Sequence, residues 1–196
     1  MKSIYSFWGL IAVVFCLFLT AGCGGNTEKR YRIGVSQCSG DYWRVKINDD
    51  IMREQLLHDD VEVEFRNADS DNNRQINDIR YFMDNGFDLI MVSPNESEEL
   101  TPIVKEAYEK GIPVVTFDRR IDGDSFTAHM EVDNYELGKS VAGYARSHIQ
   151  KPLRVIEIQG PTSASPARRR HEGFADAMKD YDDSGILASV YGNWDD

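Results

Sequence analysis

The chain has 196 residues, 41% of them hydrophobic and 11% aromatic, and its 33 acidic against 22 basic residues give a formal charge of −11. That length holds one large domain or two small ones, and the composition excludes a disordered chain or a collagen-like repeat. A surface of this sign repels phosphate backbones and anionic membrane faces, which excludes nucleic acid and lipid surfaces as partners of the folded part.

The first segment differs from everything after it. From Ser3 to Thr27 no residue is charged, Lys2 supplies a positive start, and Trp8 to Leu19 is apolar without periodicity. About 12 strongly apolar residues are short for a spanning helix and match a secretory signal in length and order. The segment ends in LTAGC, with Ala21 and Gly22 before Cys23, and this resembles the lipobox of bacterial lipoproteins, in which cleavage before the cysteine is coupled to its acylation. Residues 1–22 are read as a signal peptide of lipoprotein type with Cys23 as the lipidation site; a plain signal peptide and an uncleaved anchor are the alternatives. Each places the folded part in the periplasm, joined to the membrane only through an N-terminal lipid or anchor. Residues 23–30 form a polar tether. Cys16 lies in the apolar run, so Cys38 stands alone in the folded region, and one thiol builds no internal disulfide framework. Cys38 is read as a small buried residue at a strand end.

YRIGVS (Tyr31–Ser36) reads as a strand. From Asp41 to His58, Val45, Ile47, Ile51 and Leu56 fall among charges, the pattern of an amphipathic helix. VEVEFRN (Val61–Asn67) alternates strictly and is a strand. Ile76, Ile79, Phe82 and Met83 then recur at helical spacing and stop at Asn85-Gly86, a left-handed cap signal. Phe87–Ser93 is a nearly continuous apolar strand, the run from Ser97 through Leu100, Val104 and Ala107 a helix stopped at Lys110-Gly111, and Ile112–Phe117 a fourth strand. Alternation of this kind with apolar central strands requires a parallel sheet covered on both faces. A second series follows: strand Phe126–Val132, helix Tyr135–Ile149, strand Arg154–Gln159, helix Ser165–Met178 and strand Ile186–Tyr191. It stops with no helix over its last strand, which predicts a fragment or a truncated product.

Ligands of open parallel sheets bind beyond the carboxyl ends of the strands, where the topology changes direction. The first strand end carries Tyr42 and Trp43, the fourth Asp118 and Arg119, the sixth an irregular loop leading to Arg168, Arg169 and Arg170, and the last Trp194. Aromatic faces, a carboxylate and guanidinium forks suit a polyhydroxylated neutral ligand: sugar C–H faces stack on rings, while vicinal hydroxyls donate to a carboxylate and accept from an arginine. Neighbours on a helix point about 100° apart, so one of Tyr42 and Trp43 is expected in the core and the other in the cleft. Asp118-Arg119 also reads as a surface ion pair, and Arg168–Arg170 as a solvated charge run of which one or two residues face the cleft. Enzyme chemistry has no support: His58, His129, His148 and His171 show no metal spacing, and no nucleophile elbow, phosphate loop or dinucleotide fingerprint occurs. No catalytic residue, metal or cofactor is expected.

The pieces IGVSQCSGDYW, DLIMVSPNESEELTPIVKEAYEKGIPVVTFDRR, VDNYELGKSVAGY and IEIQGPTSASPARRRHEGF, in this order, resemble periplasmic sugar-binding proteins of the ribose-binding type, which are related to the effector domains of LacI-type repressors. The resemblance implies two Rossmann-like lobes with parallel sheets, the type I periplasmic-binding-protein fold, here C-terminally incomplete: a first lobe over 31–131 and part of a second over 132–196. It implies that Tyr42 and Trp43 sandwich a monosaccharide, a pentose or hexose, that Asp118 and Arg119 take its hydroxyls, that Arg170 and Trp194 face it from the second lobe, and that Asp133-Asn134 crosses between lobes. Gly40-Asp41 departs from the family's Asn-Pro and removes one expected amide ligand. SQCSGDYWR is most similar to the extracytoplasmic sensors of hybrid two-component systems of gut Bacteroidetes, whose partner is a downstream kinase module. A solute-binding lipoprotein serving an ABC-transporter permease is the alternative. An effector domain of a LacI-type regulator comes third, because an export signal occupies the place of its helix-turn-helix.

Overall fold

A computed structural model describes residues 30–150, 152–179 and 185–192. The expected signal peptide, the lipidation site Cys23, nearly all of the tether, and Trp194 lie outside the described residues. Among the described residues no helix is long and apolar enough to cross a membrane.

The chain alternates β1 (Tyr31–Gln37), α1 (Tyr42–Gln55), β2 (Val61–Asn67), α2 (Asn72–Asp84), β3 (Leu89–Val92), α3 (Ser97–Glu109), β4 (Val114–Phe117), β5 (Ala128–Met130), α4 (Asn134–His148), β6 (Arg154–Gln159), α5 (Ser165–Lys179) and β7 (Gly185–Tyr191). The first five strands form one parallel sheet in the order β2-β1-β3-β4-β5, and β6 and β7 pair in parallel as a second. Right-handed crossovers then put α1 on one face of the first sheet and α2 and α3 on the other. The order reverses between β1 and β3, so the switch point lies at the ends of those two strands.

Local chemistry sets the helix ends. Asp41, Asp71 and Asp133 accept backbone N–H groups of the first turns of α1, α2 and α4, satisfying donors with no partner inside the helix. Gly86 and Gly111 take left-handed φ of 68° and 81° just past α2 and α3, as the cap signals predict. Between α2, α3 and the sheet, Ile79, Phe82, Leu100 and Val104 close over Ile90, Val92 and Val114 to form the main core. In the second lobe Ala142, Leu153, Phe174 and Met178 form a smaller core, while Ile156 and Ile158 on the outer face of β6 remain exposed. There α4 and α5 touch backbone to backbone. A Cβ at Gly138 would stand 2.1 Å from the Arg170 carbonyl oxygen, and one at Gly173 would stand 2.0 Å from that of Tyr135.

Helix α1 departs from its expected pattern. Val45 and Leu56 are exposed, Ile47 and Ile51 only half-buried, and the one buried residue of the helix is Arg44. Neither Tyr42 nor Trp43 enters the core: Tyr42 is 87% and Trp43 51% exposed. The expectation that one of them packs inward fails because Arg44, the next residue, takes the inward direction.

Candidate functional site

The site is assembled at the switch point from loops that the first sheet holds at the carboxyl ends of β1, β3 and β4. After β1, Cys38 is buried, its Sγ 3.9 Å from Ser93 Oγ at the end of β3. Ser39 Oγ donates to Asp41 Oδ2 at 2.7 Å, and Asp41 caps α1 through its Oδ1. Burial pushes the Asp41 carboxyl up, but the Ser39 hydroxyl, the Arg44 N–H and the Arg44 guanidinium together hold it below the ordinary carboxylate range.

Arg44 is the centre of the arrangement. Its Nη1 pairs with Asp41 Oδ2, and its Nη2 donates to Asp118 Oδ2 at 2.8 Å, joining α1 to the end of β4. Burial works against the guanidinium charge, yet Cys38, Asp118 and Asp41 raise its pKa above the ordinary value. Its Nε has no partner among the described residues. The guanidinium carbon lies 5.6 Å from the Trp43 ring centre, which ties the exposed indole to the buried cation.

Asp118 sits in a strained turn. Its φ is 61°, and the Arg119 N–H donates to the Phe117 carbonyl at 2.6 Å across it, a three-residue turn that non-glycine residues rarely adopt. Asp118 Oδ2 receives Arg44 and lies 3.4 Å from Ser93 Oγ, whereas no described bond reaches Oδ1. Arg119 turns the other way, its Nη1 donating to the Asn95 carbonyl at 2.6 Å, with Nε 3.9 Å from Asp118 Oδ2. Asp118 and Arg119 are therefore not an isolated surface pair: each is anchored elsewhere.

The peptide after them is held from both sides. Ser97 Oγ, at the start of α3, donates to the Arg120 carbonyl at 2.6 Å, and the Arg120 N–H donates to Ser165 Oγ, at the start of α5 in the second lobe, at 2.8 Å. The Arg120 side chain meets Glu131 at 2.6 Å, and Glu131 lies 3.5 Å from His129 Nε2. Burial, reinforced by the Arg120 charge, lowers the His129 pKa against the pull of Glu131.

Trp43, Asp118 and Arg119 are thus linked through Arg44, with Tyr42 exposed on the same first turn. Arg170 is not joined to them by any described contact: it is exposed, and its Nε donates at 2.8 Å to the buried Asn134, beside the crossing between lobes. Arg168 is tied to the Thr162 carbonyl and Arg169 lies 3.8 Å from Asp133. Gly40 leaves room for a neighbour, since a Cβ there would stand 2.5 Å from Asn67 Nδ2. Sequence reasoning missed Arg44. Its signal was faint: a cation one turn into a helix whose cap is a carboxylate, among several other charged residues. Among the described residues no group of side chains is placed to hold a metal ion.

A five-stranded parallel sheet whose switch point presents paired carboxylate and guanidinium groups, followed by a second α/β lobe, defines a two-lobed binding protein. Residues 35–196 match the family described as periplasmic binding protein domain, and the chain belongs to that family. Its fold is similar to the fructose-binding periplasmic domain of the hybrid two-component system BT1754, at 44% identity and a TM-score of 0.82 over 85% of this chain and 55% of that one. It is also similar to the periplasmic binding protein component of the arabinose ABC transporter of Shewanella sp. ANA-3, bound to α- and β-L-arabinofuranose, at 27% identity and a TM-score of 0.76 over 83% of this chain and 55% of that one. The galactofuranose-binding protein YtfQ of Escherichia coli K12 is 34% identical over 124 residues, 61% of this chain and 39% of the relative. The chain thus spans little more than half the length of these structures, and less of the curated relative it matches.

Proposed function

We propose that this chain supplies one wall, and part of the facing wall, of a periplasmic cleft that binds a monosaccharide. The observation that carries this reading is Asp118, in its strained turn at the end of β4 with Oδ2 paired to Arg44, next to Arg119 and linked through Arg44 to the exposed Trp43, with Tyr42 exposed on the same first turn of α1. A vicinal diol donates to such a carboxylate and accepts from the adjacent guanidinium, while the ring's C–H face stacks on an indole. Arg170, on the second lobe, is the facing contact; a ligand bridging both lobes stabilises their closed arrangement by its differential affinity for it. The names of similar proteins support a pentose or hexose: fructose, arabinofuranose and galactofuranose are named for three of them.

The role that accompanies binding is that of the sensor domain of a hybrid two-component protein, supported by the 44% identity with one. The likeness to an ABC-transporter component supports the second reading, a solute-binding protein anchored through Cys23. The reading frame past the codon for Asp196 separates them: a membrane span and kinase mark the sensor. Binding is tested by titration calorimetry of the complete protein with D-fructose, L-arabinose and a galactofuranoside. Trp43→Ala and Asp118→Ala should each weaken the sugar that binds by about 1–3 kcal/mol, through lost stacking or a stranded Arg44 and Arg119. Unchanged affinity in both variants overturns the assigned site.

A further inference from the structure

Gln75 lies on α2, on the opposite face of the sheet from α1, and is fully buried. A buried carboxamide is costly unless both of its ends are bonded. Here they are. Nε2 donates to the Ser93 carbonyl at 2.9 Å and lies 3.5 Å from that of Ser36, and Oε1 accepts the Asn95 N–H at 2.8 Å. The Ser93 carbonyl and the Asn95 N–H lie just past the end of β3, where ladder partners run out, while the Ser36 carbonyl already accepts the Ser93 N–H at 3.0 Å.

The held segment is the one that anchors the candidate sugar ligand. Asn95 is fixed through its N–H by Gln75, and through its side chain, whose Nδ2 donates to Asn72 Oδ1 at 2.7 Å and to the Ser70 carbonyl at 3.1 Å. Its carbonyl, thus oriented, accepts Arg119 Nη1 at 2.6 Å. We propose that Gln75 is a positioning residue for sugar binding: it never touches the ligand, but fixes the Asn95 peptide and through it the guanidinium of Arg119. The proposal rests on the reading of Arg119 as a sugar contact. An apolar side chain at 75 leaves the Asn95 N–H and the Ser93 carbonyl without partners, so the β3–α3 loop shifts to satisfy them and the Asn95 carbonyl leaves the position Arg119 needs.

The test is a double-mutant cycle in the complete protein, with D-fructose as the calorimetric probe and urea unfolding as a measure that needs no ligand. Gln75→Met should weaken fructose about tenfold when Arg119 is present and less than about twofold in an Arg119→Ala background, while shifting the urea midpoint in both. In the ligand-free protein the midpoint shifts of Gln75→Met and Arg119→Ala should be non-additive, because the first already disturbs the bond the second removes. Gln75→Glu, which keeps the acceptor for Asn95 and regains the donor when protonated, should recover affinity as pH falls if the methionine variant folds poorly. Equal affinity losses in both backgrounds, or additive midpoint shifts, overturn the positioning role. A wild-type protein that binds fructose, with Arg119→Ala unchanged, instead overturns Arg119 as a contact and leaves the midpoint cycle to judge Gln75. A wild-type protein that ignores fructose gives that judgement to the midpoint cycle as well.

Discussion

Replacing Arg44 with methionine removes the cation that Asp41 and Asp118 share while keeping an apolar stem of similar reach. The Arg44 side chain is 8% exposed and that of Asp118 21%, whereas Asp41 at 45% keeps contact with water. Deleting one partner of a buried pair costs about 3–5 kcal/mol, because the remaining charge stays desolvated without compensation. Water recovers part of this at Asp41 and a little at Asp118, so the expected loss of folding stability is roughly 2–3 kcal/mol. Asp118→Asn removes the stranded charge and keeps a side chain that accepts positive φ, here 61°. The double variant should therefore be more stable than the sum of the single losses by at least about 1.5 kcal/mol. Urea unfolding followed by far-UV circular dichroism, with equal m-values across the four proteins, measures the cycle. Additivity within about 0.5 kcal/mol would refute the assignment of Arg44 as the counter-ion of Asp118.

Three further outcomes follow from the same arrangement of residues. Gly138→Ala and Gly173→Ala should each destabilise the second lobe at the upper end of about 1–3 kcal/mol, since the new methyl meets backbone instead of a side chain that can swing away; amide exchange should accelerate in α4 and α5 and stay unchanged in α2 and α3. His129 binds its proton more weakly folded than unfolded, so its contribution to stability is present above its ordinary value of 6.5 and is lost as pH falls through its lowered folded value. His129→Gln should flatten the stability–pH profile over that interval, and an unchanged profile would assign the slope to other groups. Ser165→Ala removes the acceptor of the Arg120 N–H and should cost about 1 kcal/mol, with faster exchange at Arg120 as the local readout.

The alternation of strands and helices was legible because periodicity and caps agree: aspartates open α1, α2 and α4, and glycines in the left-handed region close α2 and α3. The position of Trp43, Asp118 and Arg119 just past β1 and β4 was legible for a topological reason, since the order of the elements sets which residues follow each strand of the parallel sheet. Arg44 and Gln75 were not. Each is a polar residue turned inward on a helix, and its partners lie on other loops: Asp118 is 74 positions from Arg44, and Asn95 is 20 from Gln75. Helical spacing assigns such residues to solvent, and only the tertiary pairing reverses the assignment. The same blindness put one of Tyr42 and Trp43 in the core, because the inward direction is taken by a cation and both rings are exposed.

The two serines gripping the Arg120 peptide have a mechanical meaning. One hydroxyl belongs to each lobe, and the gripped residue is the immediate neighbour of Arg119 and two residues beyond Asp118. Any swing of the second lobe must therefore either snap the Ser165 link or drag the tip of β4 with it. If the proposed sugar contacts at Asp118 and Arg119 hold, binding there and the angle between the lobes act on the same short lever, and by linkage whatever free energy one exerts on the other is returned in equal measure.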